Sequence, residues 1–320
     1  DQVTNLIGPL AFTYGQYKIE PVAKPAVLAV QADLPSLPAL ATDEFSLMTW
    51  NVENLFDFTD PHPSSPPMPS IDEYRIQIAK VANTIVAAGA PIIVGLQEVE
   101  NIGILEDIVA QEALAGYDYQ AVLIEGTDSR YIDVGYLVRG DQAQILRQEQ
   151  YPAPDGLTSR PPLLVAVEIV TSQGAQTLFL LNNHFTSMSG GEAATEPRRN
   201  AQAAWNVSVM QELLADESGL LAVMGDLNSY YDSLPIETLR QAGLVHVFEA
   251  IPAEARYTYI YQGQSQVLDH ILVTPPLMAL LRRVDVLHVN ADYALPAAED
   301  TSPLHKSDHD PVVAVFAVAP

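Results

Sequence analysis

Five apolar runs in this 320-residue chain adjoin a carboxylate, an amide or an imidazole. Residues 45–50 end in Asn51, residues 91–96 in Gln97 and Glu98, and residues 178–181 in Asn182, Asn183 and His184. Residues 220–225 end in Asp226, Leu227 and Asn228, while Ser307, Asp308, His309 and Asp310 precede the run 312–315. Continuous apolar runs of this length read as strands buried on both faces. Open α/β sheets gather their chemistry at strand ends, so the polar residues there are the candidate site.

Between these runs the period changes. Ser70 and Glu73 form a capping box. Tyr74, Ile78, Val81, Ala82 and Ile85 then recur at helical spacing until Gly89 stops the helix. Residues 198–215 form a second amphipathic pattern, with Trp205, Val209, Leu213 and Leu214 apolar, and a third helix is expected to start near Ser233, Leu234 and Pro235. Residues 117–171 hold several strand patterns with no helix between them, which predicts antiparallel pairing there. Residues 1–20 alternate aromatic and branched residues with Gly and Pro, as short strands and tight turns do. Residues 21–42, with Pro21, Pro25, Pro35 and Pro38, read as an extended linker. The chain from 43 to 320 then reads as one large α/β domain. A proline-rich stretch, 60–69, follows the Asn51 segment and reads as a rim of the site or a solvated spacer.

Composition narrows the chemistry. There is no cysteine, which excludes disulfides, thiolate zinc sites and a cysteine nucleophile. Fifteen Lys plus Arg against 40 Asp plus Glu give a net charge of −25, so a broad basic face for duplex DNA is not expected. No apolar stretch approaches the roughly 20 residues needed to cross a bilayer. The first residues carry no basic segment followed by an apolar one, and a chain opening at Asp1 reads as a mature form or a piece of something longer.

Taken in order, Thr49 to Asp57, Gly95 to Val99, Asn183 with His184 and Phe185, Gly225 to Asn228, Leu268 with Asp269 and His270, and Ser307 with Asp308 and His309 resemble the endonuclease/exonuclease/phosphatase superfamily. Each segment alone is a weak signal, and the six in sequence cover nearly the whole chain. The resemblance is closest to bacterial extracellular nucleases, through residues 51–57 and through residues 1–20, which resemble the last strands of a small β-barrel domain preceding the catalytic domain there. It implies an α/β fold, a four-layer sandwich of two packed mixed sheets flanked by helices.

Phosphodiester hydrolysis needs neutralised phosphoryl oxygens, an in-line water and a stabilised leaving oxygen. Hard cations such as Mg²⁺, or Mn²⁺ or Ca²⁺ in its place, take oxygen ligands. Glu98, at a buried strand end, is the first candidate ligand, with Asn51 and Asp308 beside it, and Asn51 could also hold phosphate. Asp226 would orient or deprotonate the attacking water and Asn228 would donate to a phosphoryl oxygen, with Leu227 facing away. A capping turn is the structural alternative for that pair. Asp269, inside an apolar strand, needs a partner, and His309 would supply it as a cation with a raised pKa. His184 is a candidate general acid or phosphate contact. Arg130, Tyr131 and Arg199 are the substrate-side candidates, whereas Arg198 reads as a surface residue. His62, His246, His270 and His288 read as structural or surface residues, His305 and Lys306 as loop residues close to the site, and the Asn206 sequon is discounted because it lies in a helix. Thr186 stands where extracellular relatives often carry Lys, which weakens the grip on phosphate.

Three functions follow as expectations. The first is a metal-dependent, extracellular, monomeric nuclease that binds nucleic acid weakly. The second is the same machinery on a phospholipid head group, an inositol phosphate or a nucleotide. The third is a non-catalytic descendant, disfavoured because Glu98, Asp226, Asp269, Asp308 and His309 are all present.

Overall fold

The computed structural model describes residues 2–13, 15–28, 34–59, 64–171, 174–215 and 219–318. Its backbone divides into two units, Asp1–Leu34 and Pro35–Pro320. In the first, Gln2–Thr4 pairs antiparallel with Ala26–Leu28, inside the stretch expected to be extended, and Leu10–Thr13 pairs with Gln16–Ile19. His62 and residues 60–63 of the proline-rich stretch lie outside the described residues.

The larger unit contains two six-stranded sheets. The first runs in the order Leu281–Val286, Val312–Ala317, Glu44–Leu55, Ile93–Val99, Asp133–Arg139, Tyr119–Leu123. The second runs Val245–His246, Asp269–Val273, Leu221–Asp226, Gly174–His184, Leu163–Thr171, Ala143–Gln150. Each sheet is antiparallel except for its central pair: Glu44–Leu55 with Ile93–Val99, and Gly174–His184 with Leu221–Asp226. Parallel neighbours require a crossover. The helices Ile71–Ala87 and Glu192–Ala215 supply the two crossovers.

The apolar runs are continuous because successive residues enter different cores. Leu47 and Ile93 face the second sheet, with Tyr136, Val165, Leu180 and Phe316, in a core between the sheets. Their neighbours Met48 and Val94 face outward, where Trp50, Val81, Ile85 and Ile104 pack Ile71–Ala87 and Ile102–Val109 onto the first sheet. Leu181, Met210, Val223 and Ile236 do the same for Glu192–Ala215 and Leu234–Gln241 on the second. The fold is thus the four-layer α/β sandwich, helix–sheet–sheet–helix.

The capping box is formed: Ser70 Oγ accepts from Glu73 N, Glu73 Oε2 accepts from Ser70 N at 2.7 Å, and Gly89 adopts φ +84° beyond the last turn. The second crossover helix begins at Glu192, six residues before the amphipathic pattern at 198, and carries Pro197 inside it. Proline normally marks a boundary. Here Gly191 starts the first turn, its carbonyl accepting from both Thr195 N and Thr195 Oγ1. Residues 117–171 are antiparallel as expected, but the chain changes sheet between Arg139 and Ala143.

Two details set the spacing of the sheets under the site. Gly95 leaves room for the opposite layer, since a Cβ there would lie 2.6 Å from Met224 Cε. Beside it Gln97 Nε2 donates across the gap to Asn182 Oδ1 at 2.7 Å, and Asn182 Nδ2 donates to the carbonyls of Leu96 and Gly135. This buried amide pair satisfies the Leu96 and Gly135 carbonyls, while Gln97 Oε1 has no hydrogen-bond partner among the described residues.

Candidate active site

The two parallel strand pairs end at the same edge of the sandwich, and their last residues line one cleft of about 670 Å³. Glu44–Leu55 brings Asn51, Ile93–Val99 brings Glu98, Gly174–His184 brings His184, and Leu221–Asp226 brings Asp226. Asp269 opens the antiparallel strand next door, opposite Asp226 in register. The loop carrying Asp308 and His309 enters Val312–Ala317, whose Val312 lies opposite Thr49. Residues far apart in sequence therefore meet because six strands share one edge.

The local backbone departs from regular strand where it delivers these groups. The pairing of Glu44–Leu55 with Ile93–Val99 shifts register between Asn51 and Leu55. Glu98 is held at φ +67°, with Glu53, Asn54 and Asn228 also at positive φ. Such non-glycine conformations cost about 1–3 kcal/mol each and cluster where surrounding structure fixes a functional geometry. Gly225 is a different case: at φ +134°, a Cβ would lie 1.9 Å from Asn183 O, so only glycine lets Asp226 approach the neighbouring parallel strand.

Asn51 joins the two acidic halves, Nδ2 lying 3.0 Å from Asp226 Oδ2 and 3.3 Å from Glu98 Oε1. Its Oδ1 accepts from Glu53 N, so the amide turns its donors toward the carboxylates. Glu98 Oε2 accepts from Asn54 N at 2.8 Å, and its Oε1 faces His184 Nε2 at 3.6 Å and Arg130 Nη2 at 3.9 Å. His184 Nε2 also stands 3.5 Å from Asp226 Oδ2. Asn228 donates through its backbone to Asp226 Oδ1 and through Nδ2 to Asp226 Oδ2 and Phe185 O. With both amide hydrogens engaged, Asn228 steadies Asp226. Leu227 between them is buried under the outer helices.

His309 Nδ1 is 2.7 Å from Asp269 Oδ2. Its carbonyl accepts from Trp50 Nε1 and Asn290 Nδ2, fixing the main chain behind the ring. Burial pulls the His309 pKa down, but the charge and hydrogen bond of Asp269, then Asp226 and Asp308, outweigh it and hold the imidazole well above its usual value as a cation. His184 is driven the other way, well below 6.5, first by burial and then by the Arg160, Arg130 and His309 charges. One histidine is charged and the other neutral, so His184 can donate a hydrogen bond without being a strong acid. Asp226 is pushed up to about 7, chiefly by burial and also by Asp269, with His309 opposing. A carboxylate of that basicity is suited to accepting a proton from water near neutral pH.

The oxygen-rich set Glu98, Asn51 and Asp308, with no thiolate nearby, fits a hard divalent cation. Ligand atoms of Asp226, Asp269 and His309 also lie within 4.8 Å of one another and form a second arrangement that could hold a cation. We favour the Glu98 side, because an imidazole that stays protonated beside Asp269 has no lone pair to offer a metal.

Arg130 lines the cleft as an exposed guanidinium, whereas Tyr131, next to it, stands outside the lining and is 48% exposed. Arg199 is also outside the lining, buried with Nη1 donating to Thr195 Oγ1 and Nη2 to Glu192 O. Arg198 lies on the surface and donates to Gly156 O. His246 and His270 form a buried pair, and His288 bonds buried Asp310. Asn206 is fully buried in its helix.

Arg160, Tyr259 and Tyr261 were not singled out from the sequence, and Lys306 was read there only as a loop residue close to the site. Arg160 donates to the carbonyls of His184 and Phe185 and pairs with Asp128, locking the loop that carries Arg130. Lys306 is buried, its ammonium on Val52 O at 2.6 Å, and burial depresses its pKa to about 8 against the raising effects of Glu53, Glu98 and Asp308. Tyr259 and Tyr261 line the cleft from a short hairpin, Tyr259–Tyr261 with Gln264–Gln266. A hairpin signal was present in the alternation of residues 257–261 before Gly263.

The endonuclease/exonuclease/phosphatase family matches residues 46–292, and the chain belongs to it. Members of this family are metal-dependent phosphoesterases. No curated protein matches the sequence significantly. Among solved structures, truncated Caenorhabditis elegans TDP2 is similar at TM-score 0.58 and 18% identity, over 86% of this chain and 97% of that one. D. rerio TDP2 complexed with a single-strand DNA product gives 0.56 and 20%, over 85% and 98%. A Bacteroides thetaiotaomicron mannosyl-6-phosphatase gives 0.58 and 18%, over 84% and 98%. At these identities the likeness is one of fold.

Proposed function

We propose that this protein is a secreted phosphodiesterase dependent on a divalent cation, hydrolysing nucleic acid and DNA in particular, of the bacterial extracellular nuclease branch. The observation that carries the reading is one cleft that brings Glu98, Asn51, Asp226 and His184 together with His309, whose Nδ1 is 2.7 Å from Asp269 Oδ2. Asp226 receives the proton of the attacking water, held in place by Asn51 and Asn228. His309 faces the charge that develops on the phosphoryl oxygens, and neutral His184 donates a further hydrogen bond to them. Glu98, Asn51 and Asp308 would hold the cation, Mg²⁺ in the first place, which lends charge neutralisation at the phosphate. Arg130 is the cationic contact on the open side. The resemblance of residues 1–20 and the acidic composition support secretion and the extracellular branch, and the protein is expected as a monomer in the culture medium.

A second reading, hydrolysis of another phosphoester such as a lipid head group, inositol phosphate or nucleotide, draws on the acidity of the cleft. Glu53, Glu98, Glu192 and Asp308 line it beside Arg130, the single guanidinium among the described lining residues. One matched assay separates the two readings. Plasmid, single-stranded DNA, RNA and bis-p-nitrophenyl phosphate are compared with p-nitrophenyl phosphate and inositol phosphates in Mg²⁺, Mn²⁺, Ca²⁺ and EDTA. Nucleic-acid cleavage abolished by EDTA, Glu98→Ala and His309→Ala is the expected result. Turnover of monoesters without nucleic-acid cleavage would replace the first reading by the second.

A further inference from the structure

Beside His309 the cleft has a wall that the hydrolytic groups do not use. Tyr259 and Tyr261 are two apart on one strand of the hairpin, so they share a face, and both line the cleft. Gln266, opposite Tyr259 in register, lines it too. The turn is built for projection: Gln262 at φ +50° and Gly263 at φ +77° form the tight reversal that joins two three-residue strands. The base of the hairpin is anchored, because Tyr259 bridges the His309 backbone and its ring centroid lies 4.8 Å from that of the imidazole. The tip is not packed in the same way. Tyr261 is 53% exposed although it faces the cleft, and its hydroxyl accepts from Gln262 Nε2.

We infer that the Tyr259–Gln266 hairpin is a subsite for an unpaired nucleobase attached to the scissile phosphate. The inference rests on the phosphodiesterase reading and specifies its substrate. A planar ring stacks on an exposed tyrosine face and gains the sequence-tolerant attraction that bases find on aromatic side chains. The Gln266 amide offers both a donor and an acceptor to base edges, and Glu192 adds an acceptor for exocyclic amino groups. The same wall suits a neutral group better than a second phosphate, because the carboxylates of Glu53, Glu192 and Asp308 share the cleft with it. A base buried in a duplex stack cannot present its face to Tyr261, so the substrate is single-stranded or locally unpaired.

The test compares two p-nitrophenyl diesters on the whole chain with Mg²⁺, thymidine 5′-p-nitrophenyl phosphate and methyl p-nitrophenyl phosphate, which lacks a base. KM for the nucleoside ester is expected to be at least about fivefold lower, the smaller end of a stacking contact. The ratio of the two KM values falls toward one in Tyr261→Ala and is retained in Tyr261→Phe. Equal KM values, or a ratio that Tyr261→Ala leaves untouched, would overturn the subsite. A second readout is independent of turnover: binding of thymidine 5′-monophosphate, methyl phosphate and mannose 6-phosphate to the Glu98→Gln chain by calorimetry. Tighter binding of the nucleotide, lost in the Tyr261→Ala double variant, supports the subsite even if neither diester is cleaved, in which case the phosphodiesterase reading alone falls. Mannose 6-phosphate bound as tightly as the nucleotide would assign the wall to a sugar and overturn the inference.

Discussion

Asp269 is fully buried, and its Oδ2 is 2.7 Å from His309 Nδ1 while Oδ1 has no hydrogen-bond partner among the described residues. A buried carboxylate in that state is stable because the imidazole beside it carries a proton. Asp269→Asn keeps the shape and removes the charge. Turnover of a phosphodiester is expected to fall about 10²–10⁴-fold, the range spanned by a positioned acid–base group, with KM little changed. The direction in pH follows from the raised pKa of His309. Activity that needs the imidazolium is lost as pH rises through that value, so the alkaline limb of the rate profile moves to lower pH in Asp269→Asn. The contribution to stability has the same sign: it is full below the ordinary histidine pKa and disappears as pH rises through the folded value. An unshifted alkaline limb in the variant would remove His309 from its cationic role.

At the scale of elements, the loop bearing Arg130 is tied to the second sheet by a buried ion pair. Arg160 and Asp128 are each 8% exposed at their side chains, and Asp128 also accepts from Ser159 Oγ and the Arg130 backbone. Arg160→Met leaves that carboxylate only the half-exposed Arg130, whose Nε is 3.8 Å from Oδ1, and a loss of up to about 3–5 kcal/mol is expected in urea unfolding. The double variant with Asp128→Asn should recover more than half of it, a coupling read directly from the mutant cycle. Additive losses would mean that the pair does not act as a unit. The strand Asp269–Val273 makes a second prediction from its other face. His270 Nδ1 lies 2.9 Å from His246 Nε2, and His270 Nε2 lies 2.8 Å from Ser229 O. Burial holds the His270 pKa down at about 3. A depressed histidine stabilises fully above its unfolded pKa near 6.5, and that contribution is lost as pH falls toward the folded value. The stability of His270→Gln should therefore fall less steeply between about pH 6.5 and 4.5, by up to about 1.4 kcal/mol per unit. Parallel stability curves for the two chains would count against this.

The same elements explain what the sequence made legible. Strands feeding two cores at once leave unbroken apolar runs, so Asn51, Glu98, His184 and Asp226 announced themselves as polar ends of such runs. The partners of His246 and Arg160 did not, because the contacts form across sheets and loops: His270 is 24 residues from His246, and Asp128 is 32 from Arg160. The start of the second crossover helix at Glu192 was hidden by Pro197, a residue that ordinarily ends the pattern. The hairpin at 259–266 left only a short signal, the alternation of residues 257–261 before Gly263, because its strands have three residues each.

For the whole molecule the net charge of −25 decides how a polyanion can be held. Among the described cleft-lining residues Arg130 is the one guanidinium or ammonium, Lys306 being turned onto Val52 O and Arg160 buried on Asp128 and the strand ends. Under the proposed function, binding to single-stranded DNA would rest on one or two phosphates and on stacking, not on a basic track. Counterion release gives a slope of about −0.7 in log K against log salt for each phosphate neutralised on a single strand. A slope between about −0.7 and −1.4 is expected for the Glu98→Gln chain, measured by anisotropy on a labelled oligonucleotide at constant divalent ion. The acidic surface also repels the rest of the strand, so affinity should rise little when the oligonucleotide is lengthened beyond the few nucleotides the cleft can hold. A slope several-fold steeper, or affinity that climbs steadily with length, would require a cationic surface away from the cleft. In that case the −25 would be a total concealing a local basic face, and duplex DNA would become an admissible substrate.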